Sequence, residues 1–144
     1  MSTPLTGGCG CGAVRFELIA PPVTAVYCHC TRCQRRTGTA AAATARVEPG
    51  SVRILQGEDR LRRWTPGEGL AKAFCAECGS AVFAEYRDGR GVAAVRMGAF
   101  DGDPGVRPSA RQFTAYAAQW EPIPDDGLPR YAESRPGGFA GAPE

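Results

Sequence analysis

The chain has 144 residues, 43% of them hydrophobic, which is enough for one domain with a substantial apolar core. Its formal net charge of +2 is too small to indicate a polyanionic partner, and no window approaches the ~18 consecutive apolar residues of a membrane span. The opening residues show no basic segment followed by an apolar one, so no signal peptide is expected. We therefore expect a cytoplasmic protein that does not enter a membrane.

Short segments rich in valine and aromatic residues alternate with glycine and proline along the chain, a pattern typical of β-proteins. The predicted strands, in chain order, are residues 13–18, 23–27, 40–45, 52–56, 61–65, 70–74, 81–86, 92–97 and 112–115. The pattern predicts a mainly β fold of short antiparallel strands with very little helix.

One short helix is predicted at 31–37, with Thr31 as its N-cap and Gly38 at its end. Turn sequences follow at 48–51 and at 87–90, and the second is expected to close a hairpin. Beyond Asp125 the chain is rich in proline and glycine. We expect a single domain over residues 1–133 and a flexible C-terminal tail over 134–144.

The seven cysteines fall in three tight clusters, and none lies outside them. The clusters are Cys9 and Cys11, then Cys28, Cys30 and Cys33, then Cys75 and Cys78. This is the spacing of metal ligands, because a tetrahedral zinc site is usually built from short chain segments that each carry closely spaced thiolates. Disulfides would pair an even number, and the closely repeated spacing of common ferredoxins is missing. The chemistry favours two zinc ions held in a reducing compartment.

The most economical division places Cys9, Cys11, Cys75 and Cys78 around one structural zinc. The remaining cysteines, Cys28, Cys30 and Cys33, would then give a second zinc three protein ligands and one open position. Spacing alone also allows Cys9, Cys11, Cys28 and Cys30 to share one metal. His29 lies between two ligands and is expected to point away from them in extended backbone.

The same motifs carry a resemblance to a known family. The chain resembles the glutathione-dependent formaldehyde-activating enzymes, or GFA family, which also includes centromere protein V. The matching motifs are Gly-Cys-Gly-Cys-Gly at 8–12, Cys-His-Cys-Thr-Arg-Cys-Gln-Arg-Arg-Thr-Gly at 28–38, Phe-Cys-Ala-Glu-Cys-Gly-Ser at 74–80, and Arg-Pro at 107–108. The resemblance implies the family's mainly β, tent-like zinc fold, with a structural zinc on Cys9, Cys11, Cys75 and Cys78 and a second zinc on Cys28, Cys30 and Cys33.

The resemblance further implies a carbon–sulfur lyase that adds glutathione to formaldehyde, or cleaves the adduct, with Cys28, Cys30 and Cys33 as the catalytic set. The C-terminal third departs from the family pattern, because Arg111 stands where a histidine is common and Tyr116-Ala117 replaces a Ser-Lys pair. These departures bear on the thiol substrate and leave the zinc ligands unchanged.

Arg35 and Arg36 follow the third cysteine of the central cluster and are candidates to bind the carboxylates of glutathione. They would equally offset the negative charge of a zinc–thiolate cluster or face solvent. Sixteen of the seventeen basic residues are arginine, and Lys72 is the one lysine.

Two other functions fit parts of the sequence. A non-catalytic zinc module for a protein or nucleic acid is suggested by Arg60, Arg62 and Arg63 beside Trp64. Strand alternation would split these arginines between two faces, so a nucleic-acid partner is not expected. A purely structural second zinc would take its fourth ligand from His29 or a carboxylate.

Overall fold

The computed structural model describes residues 4–137, and these form ten short strands, one α-helix and three single turns of 3₁₀-helix. The strands are β1 (Leu5–Gly8), β2 (Arg15–Leu18), β3 (Thr24–Cys28), β4 (Ala42–Arg46), β5 (Val52–Gln56), β6 (Leu61–Trp64), β7 (Ala71–Cys75), β8 (Ala81–Glu85), β9 (Val92–Arg96) and β10 (Pro108–Gln112). Helix α1 is Thr31–Thr37, and the 3₁₀ turns are Glu58–Arg60, Met97–Ala99 and Thr114–Tyr116. The predicted mainly β fold with one short helix is confirmed.

The strands form two sheets. The smaller has the order β1-β2-β5, and the larger has the order β10-β3-β4-β9-β8-β7-β6. Neighbouring strands are antiparallel except β10, which lies parallel to β3 at one edge of the large sheet. The predicted hairpin at 87–90 joins β8 to β9, and no helix within residues 4–137 has the length and apolar character of a membrane span.

The structure differs from the local predictions at three places. Strand β1 was not predicted, because Leu5–Gly8 carries little apolar alternation and is stabilised by pairing with β2. The strand expected at 112–115 ends at Gln112, since Phe113 adopts a left-handed backbone with φ 55° and turns the chain into a 3₁₀ helix. The N-cap of α1 is Cys30 and not Thr31.

The main core lies between the two sheets and is centred on Phe16 of β2, whose side chain is fully buried. Its ring meets Phe83 of β8 edge-on, with centroids 5.1 Å apart, and meets Phe100 edge-on at 5.9 Å. Burying a phenylalanine contributes roughly 2–3 kcal/mol, and edge-to-face pairs add to this. Phe16 therefore fixes the small sheet against the large one.

A row of side chains crosses four strands on one face of the large sheet. Thr44 of β4 pairs with Arg96 of β9, and Ala94 lies on the same face two residues before Arg96. Ala94 pairs with Ala84 of β8, which pairs in turn with Lys72 of β7. Because directly paired residues point to the same side of a sheet, this register places all five side chains on one surface.

Residues 138–144 lie outside the described part of the chain, so the flexible tail predicted at 134–144 stays a prediction, as does the domain boundary at 133. Within the described residues, the backbone N–H of Arg135 donates to the side-chain oxygen of Gln112 at 3.0 Å.

Gly57 follows strand β5, and its backbone lies against the loop that precedes β2. Substituting this glycine therefore tests the contact between the two segments. Its φ is +83°, and a Cβ there would lie 2.1 Å from the carbonyl oxygen of Ala13. Gly50 has a similar φ of +85°, but a Cβ there would meet no atom within 4 Å. We expect Gly50→Ala to lower the free energy of unfolding by about 1 kcal/mol and Gly57→Ala by about 3 kcal/mol, because only the second adds a steric clash to the backbone strain. Urea unfolding measures both, and equal losses would contradict the contact.

Candidate metal centres and the adjoining cavity

The first candidate metal centre lies where the two sheets meet. Cys9 follows β1, Cys11 lies in the turn before β2, Cys75 ends β7 and Cys78 lies in the loop after it. Their Sγ atoms lie within 4.8 Å of one another, with Cys9 and Cys11 3.6 Å apart and Cys11 and Cys75 3.9 Å apart. Four sulfurs each ~2.3 Å from one zinc ion would be ~3.8 Å apart, so this set fits tetrahedral zinc.

Polar groups around Cys78 favour the ionised form of its thiol. The Ser80 hydroxyl lies 3.2 Å from Cys78 Sγ and accepts a 2.8 Å hydrogen bond from the Gly10 N–H. Hydrogen bonds from the Ser80 hydroxyl and backbone lower the pKa of Cys78 to about 5. Gly79 has φ +77°, a conformation that glycine adopts at little cost, and its N–H donates to the Cys75 carbonyl at 2.8 Å. This turn gives the Cys75–Cys78 pair the form of a zinc knuckle.

The second candidate centre is built from the end of β3 and the start of α1. Cys28 is the last residue of β3, Cys30 is the N-cap of α1, and Cys33 lies in its first turn. The N–H of Cys33 donates to Cys30 Sγ at 3.3 Å, so the helix start directs backbone dipoles at the cluster. The three Sγ atoms lie within 4.8 Å of one another, and no His, Asp or Glu of residues 4–137 joins them. The shared site on Cys9, Cys11, Cys28 and Cys30 is therefore not formed.

The three thiols of this centre strongly influence one another. Hydrogen bonds from Cys28 and Cys30 lower the pKa of Cys33 to about 2, and the cationic Arg96 and Lys72 act in the same direction. The neighbouring Cys30 and Cys33 thiols in turn raise the pKa of Cys28 far above its usual range. The protein alone thus favours one thiolate among three sulfurs, two of which are buried. A divalent cation would allow all three to ionise, which is the condition the donor set of a zinc site requires.

A cavity of about 360 Å³ opens onto this second centre. All three cysteines line it, together with side chains from both sheet and helix: Val26, Thr31, Arg32, Thr44, Glu68, Leu70, Lys72, Ala84, Ala94, Arg96, Gln112, Phe113, Tyr116 and Glu133. Its volume lies within the range of small-molecule sites. The row of residues across the large sheet forms one wall of the cavity.

Charge is unevenly distributed in the cavity. Lys72 is buried and Arg96 is half-buried, whereas the carboxylates of Glu68 and Glu133 are exposed. The Tyr116 hydroxyl donates to Glu133 at 3.0 Å, which fixes one carboxylate at the entrance. The inner wall is therefore cationic and the rim is partly anionic.

The two arginines singled out from the sequence lie elsewhere. Arg35 is exposed, and neither Arg35 nor Arg36 lines the 360 Å³ cavity. Arg36 is partly buried and lines a second, shallower cavity of about 660 Å³, where Arg96 also contributes. Burial and the neighbouring Arg96 lower the pKa of Arg36, whereas the charge of Cys33 opposes this shift. Arg36 is thus close enough to offset charge on the three-cysteine cluster.

His29 takes part in a buried network behind the cluster. Its Nε2 lies 3.2 Å from Arg111 Nη1, and Arg111 donates to Asp126 at 2.8 Å and stacks over the Tyr27 ring at 4.2 Å. Burial, followed by the charge of Arg111, lowers the pKa of His29. His29 does not join the three sulfurs as a ligand atom, in keeping with its expected role as a bystander.

The basic segment near Trp64 does not form a continuous cationic surface. Arg60 pairs with Glu77 at 3.1 Å, and Arg63 pairs with Glu85 at 2.6 Å. Carboxylates therefore offset the positive charge of two of the three arginines in this segment.

The sequence did not single out the cationic and aromatic walls of the cavity. Lys72, Arg96 and Phe113 come from three separate elements, and only the sheet register and the turn at Phe113 bring them to the cysteines. One feature of the sequence could have drawn attention to Lys72, because it is the single lysine in a chain that has sixteen arginines.

Metal analysis tests the two centres separately. We expect about two zinc ions per chain in reducing, metal-replete buffer, and about one in either Cys78→Ser or Cys30→Ser. The melting temperature should fall more in Cys78→Ser, because that centre joins the two sheets. Metal content by mass spectrometry and thermal unfolding supply the readouts. Unchanged zinc content in either variant would contradict the assignment of that cysteine.

Comparisons with known proteins agree with this architecture. A Rhodobacter sphaeroides protein of known crystal structure superposes with a TM-score of 0.52 at 27% identity, covering 88% of this chain and 98% of that one. A Halomonas elongata protein, provisionally assigned as a glutathione-dependent formaldehyde-activating enzyme, is 28% identical over 88 residues. These are 55% of this chain and 54% of the relative, so the match spans about half of that protein.

The sequence pattern of the family described as glutathione-dependent formaldehyde-activating enzyme matches residues 4–116, a span that contains both cysteine centres and most of the cavity wall. The chain therefore belongs to the glutathione-dependent formaldehyde-activating enzyme family.

Proposed function

We propose that the protein is a zinc-dependent carbon–sulfur lyase of the cytoplasm. It adds glutathione or a similar thiol to formaldehyde or a related small carbonyl compound, and it also catalyses the reverse cleavage. Family membership and the assignment of the Halomonas elongata relative support this proposal. One zinc would be structural, on Cys9, Cys11, Cys75 and Cys78, and the other would be catalytic, on Cys28, Cys30 and Cys33.

The observation that carries the proposal is the position of the three-cysteine centre in the cavity wall. Within residues 4–137, three sulfurs converge without a fourth protein ligand, and all three face a space of about 360 Å³. A structural zinc is normally closed by four protein ligands, whereas a catalytic zinc retains a position for water or substrate.

A zinc ion on these sulfurs would supply the ionisation of an incoming thiol, whose pKa near ~8.5 otherwise leaves it mostly protonated at neutral pH. The three cysteine thiolates would keep such a site electron-rich, so that a thiol sulfur held there would stay nucleophilic. The cavity walls then orient the thiol toward the carbonyl carbon. Phe113, which packs against the cluster, shields it from solvent on one side.

The charge distribution in the cavity supports a zwitterionic thiol. Arg32 and Arg96 can bind carboxylates of glutathione, and Glu68 and Glu133 at the rim can bind its ammonium group. In this proposal Arg32 takes the carboxylate-binding role that the sequence suggested for Arg35. Arg32 lies three residues earlier on α1 and lines the cavity. Arg36 keeps the alternative role expected for it, that of offsetting the charge of the thiolates.

The test is the rate of exchange between formaldehyde, glutathione and their adduct, measured by NMR magnetisation transfer against an enzyme-free blank. At pH 7 only about one in 30 free thiol groups is ionised. If binding ionises the thiol fully, the turnover rate per bound thiol should exceed the uncatalysed rate by at least about 30-fold. Cys33→Ser should abolish the excess.

Cobalt substitution reports on the open position independently of turnover. Glutathione should perturb the absorption of cobalt at the three-cysteine centre and leave the four-cysteine centre unchanged. An unchanged spectrum together with a blank-level rate would support a structural second zinc instead. Retention of single-stranded DNA that falls steeply with added salt would favour the nucleic-acid module.

A further inference from the structure

Lys72 is buried in the wall of the cavity and faces the same space as the three cysteines. It lies on β7, retains only 9% of its accessible surface, and is the single lysine of the chain. Burying an ammonium group is costly, so a lysine in this wall brings a strong, weakly screened positive charge to the cavity.

The sheet register explains how Lys72 reaches the cysteine side of the cavity. Its neighbours across β8 and β9 are Ala84 and Ala94, whose side chains are single methyl groups. Strands lie about 4.8 Å apart, and a lysine side chain is long enough to extend over such small neighbours. Lys72 and the three cysteines line the same cavity of about 360 Å³, so the ammonium group and the sulfurs face one space.

The other two cations that line the cavity, Arg96 and Arg32, differ from Lys72 in their contacts and positions. Arg96 donates to the Thr44 hydroxyl at 2.7 Å, which directs its guanidinium along the wall. Arg32 lies on α1, where it is half-buried beside the exposed Thr31. Lys72 is the compact, strongly charged donor of the inner wall, and a point charge of this kind suits a single small oxygen atom better than a planar guanidinium does.

We propose that the Lys72 ammonium group is a catalytic contact to the carbonyl oxygen, which it stabilises as negative charge develops there. This inference rests on the proposed function. The thiolate sulfur attacks the carbonyl carbon, the C–S bond forms, and the electron pair of the C=O π bond moves to oxygen. That oxygen then takes a proton from water, and the resulting hydroxide is neutralised by the proton that the thiol released. The reverse reaction uses the same contact.

The experiment compares Lys72→Met, Lys72→Gln and Lys72→Arg with the wild-type protein, all zinc-loaded. Arg62→Met is the matched control, since Arg62 is an exposed cation on the adjacent strand β6 and does not line the cavity. Losing an oxyanion contact typically lowers kcat about 100-fold. We expect that loss in the Met and Gln variants with an unchanged KM for the thiol, partial rescue by arginine, and no change in the control.

Binding of formate supplies a readout that does not depend on turnover. Formate is close to formaldehyde in size, carries a negatively charged oxygen and does not react with the thiol. With glutathione saturating the zinc-loaded protein, the dissociation constant for formate should rise about 10-fold in Lys72→Met and Lys72→Gln, as expected for loss of one charged hydrogen bond. It should stay near the wild-type value in Arg62→Met.

Three results would overturn the assignment: a kcat within threefold of wild type in both neutral variants, unchanged formate affinity, or a loss of activity that follows a loss of zinc or of glutathione binding. The last would show a structural or thiol-binding role. If the wild-type protein itself shows no rate above the blank, the proposed function fails as well. If the wild-type rate exceeds the blank and the Lys72→Met and Lys72→Gln variants stay active, only the role of Lys72 is contradicted.

Discussion

The junction between the two sheets is the constraint on which the rest of the structure depends. Within the described chain, the strands of the small sheet form ladders only with one another, and a single bridge from Gly7 to Phe100 leads out of that sheet, so side-chain contacts must do most to hold it on the large one. Phe16 does so in the middle of the interface, and the four sulfurs of Cys9, Cys11, Cys75 and Cys78 do so at its edge. A metal on those sulfurs would close a loop of more than sixty residues, a constraint that favours the folded chain over the unfolded one.

With the large sheet held in this way, its face away from the small sheet becomes available to form a cavity wall. The short helix α1 lies at one end of that face and carries Cys33, while Gln34 donates to the carbonyls of His29 and Tyr116 at 2.7 and 2.9 Å. These bonds fix the helix start against the C-terminal segment. The left-handed Phe113 turns that segment toward the cluster, and such strained residues often occur at functional sites. Sheet, helix and turn together enclose the cavity.

Much of this could be predicted from the sequence because the relevant signals are local. Closely spaced cysteines predicted two groups of sulfurs that could each hold a metal ion, and the alternation of apolar residues predicted most strands. Strand β1 was missed because its stability comes from β2, and the 112–115 strand was misplaced because no local rule predicts a left-handed phenylalanine. Lys72 and Arg96 were not assigned to the site, since cross-strand register is a non-local property.

The departures of this chain from the family pattern lie around the second centre. Arg111 forms the buried contact to His29 and Asp126, and Tyr116 lines the cavity entrance. The chain therefore keeps its cysteine clusters while changing the surfaces around them, which is where substrate selectivity would be set under the proposed function.

The order of the site residues along the chain has a consequence for biosynthesis. All seven sulfurs precede residue 79, whereas Gln112, Phe113, Tyr116 and Glu133 of the cavity wall come later. During translation, the ligand sets thus leave the ribosome before the segment that narrows the entrance has been made. A metal ion bound at that stage would enter an open nascent chain, and the last part of the polypeptide would then enclose it.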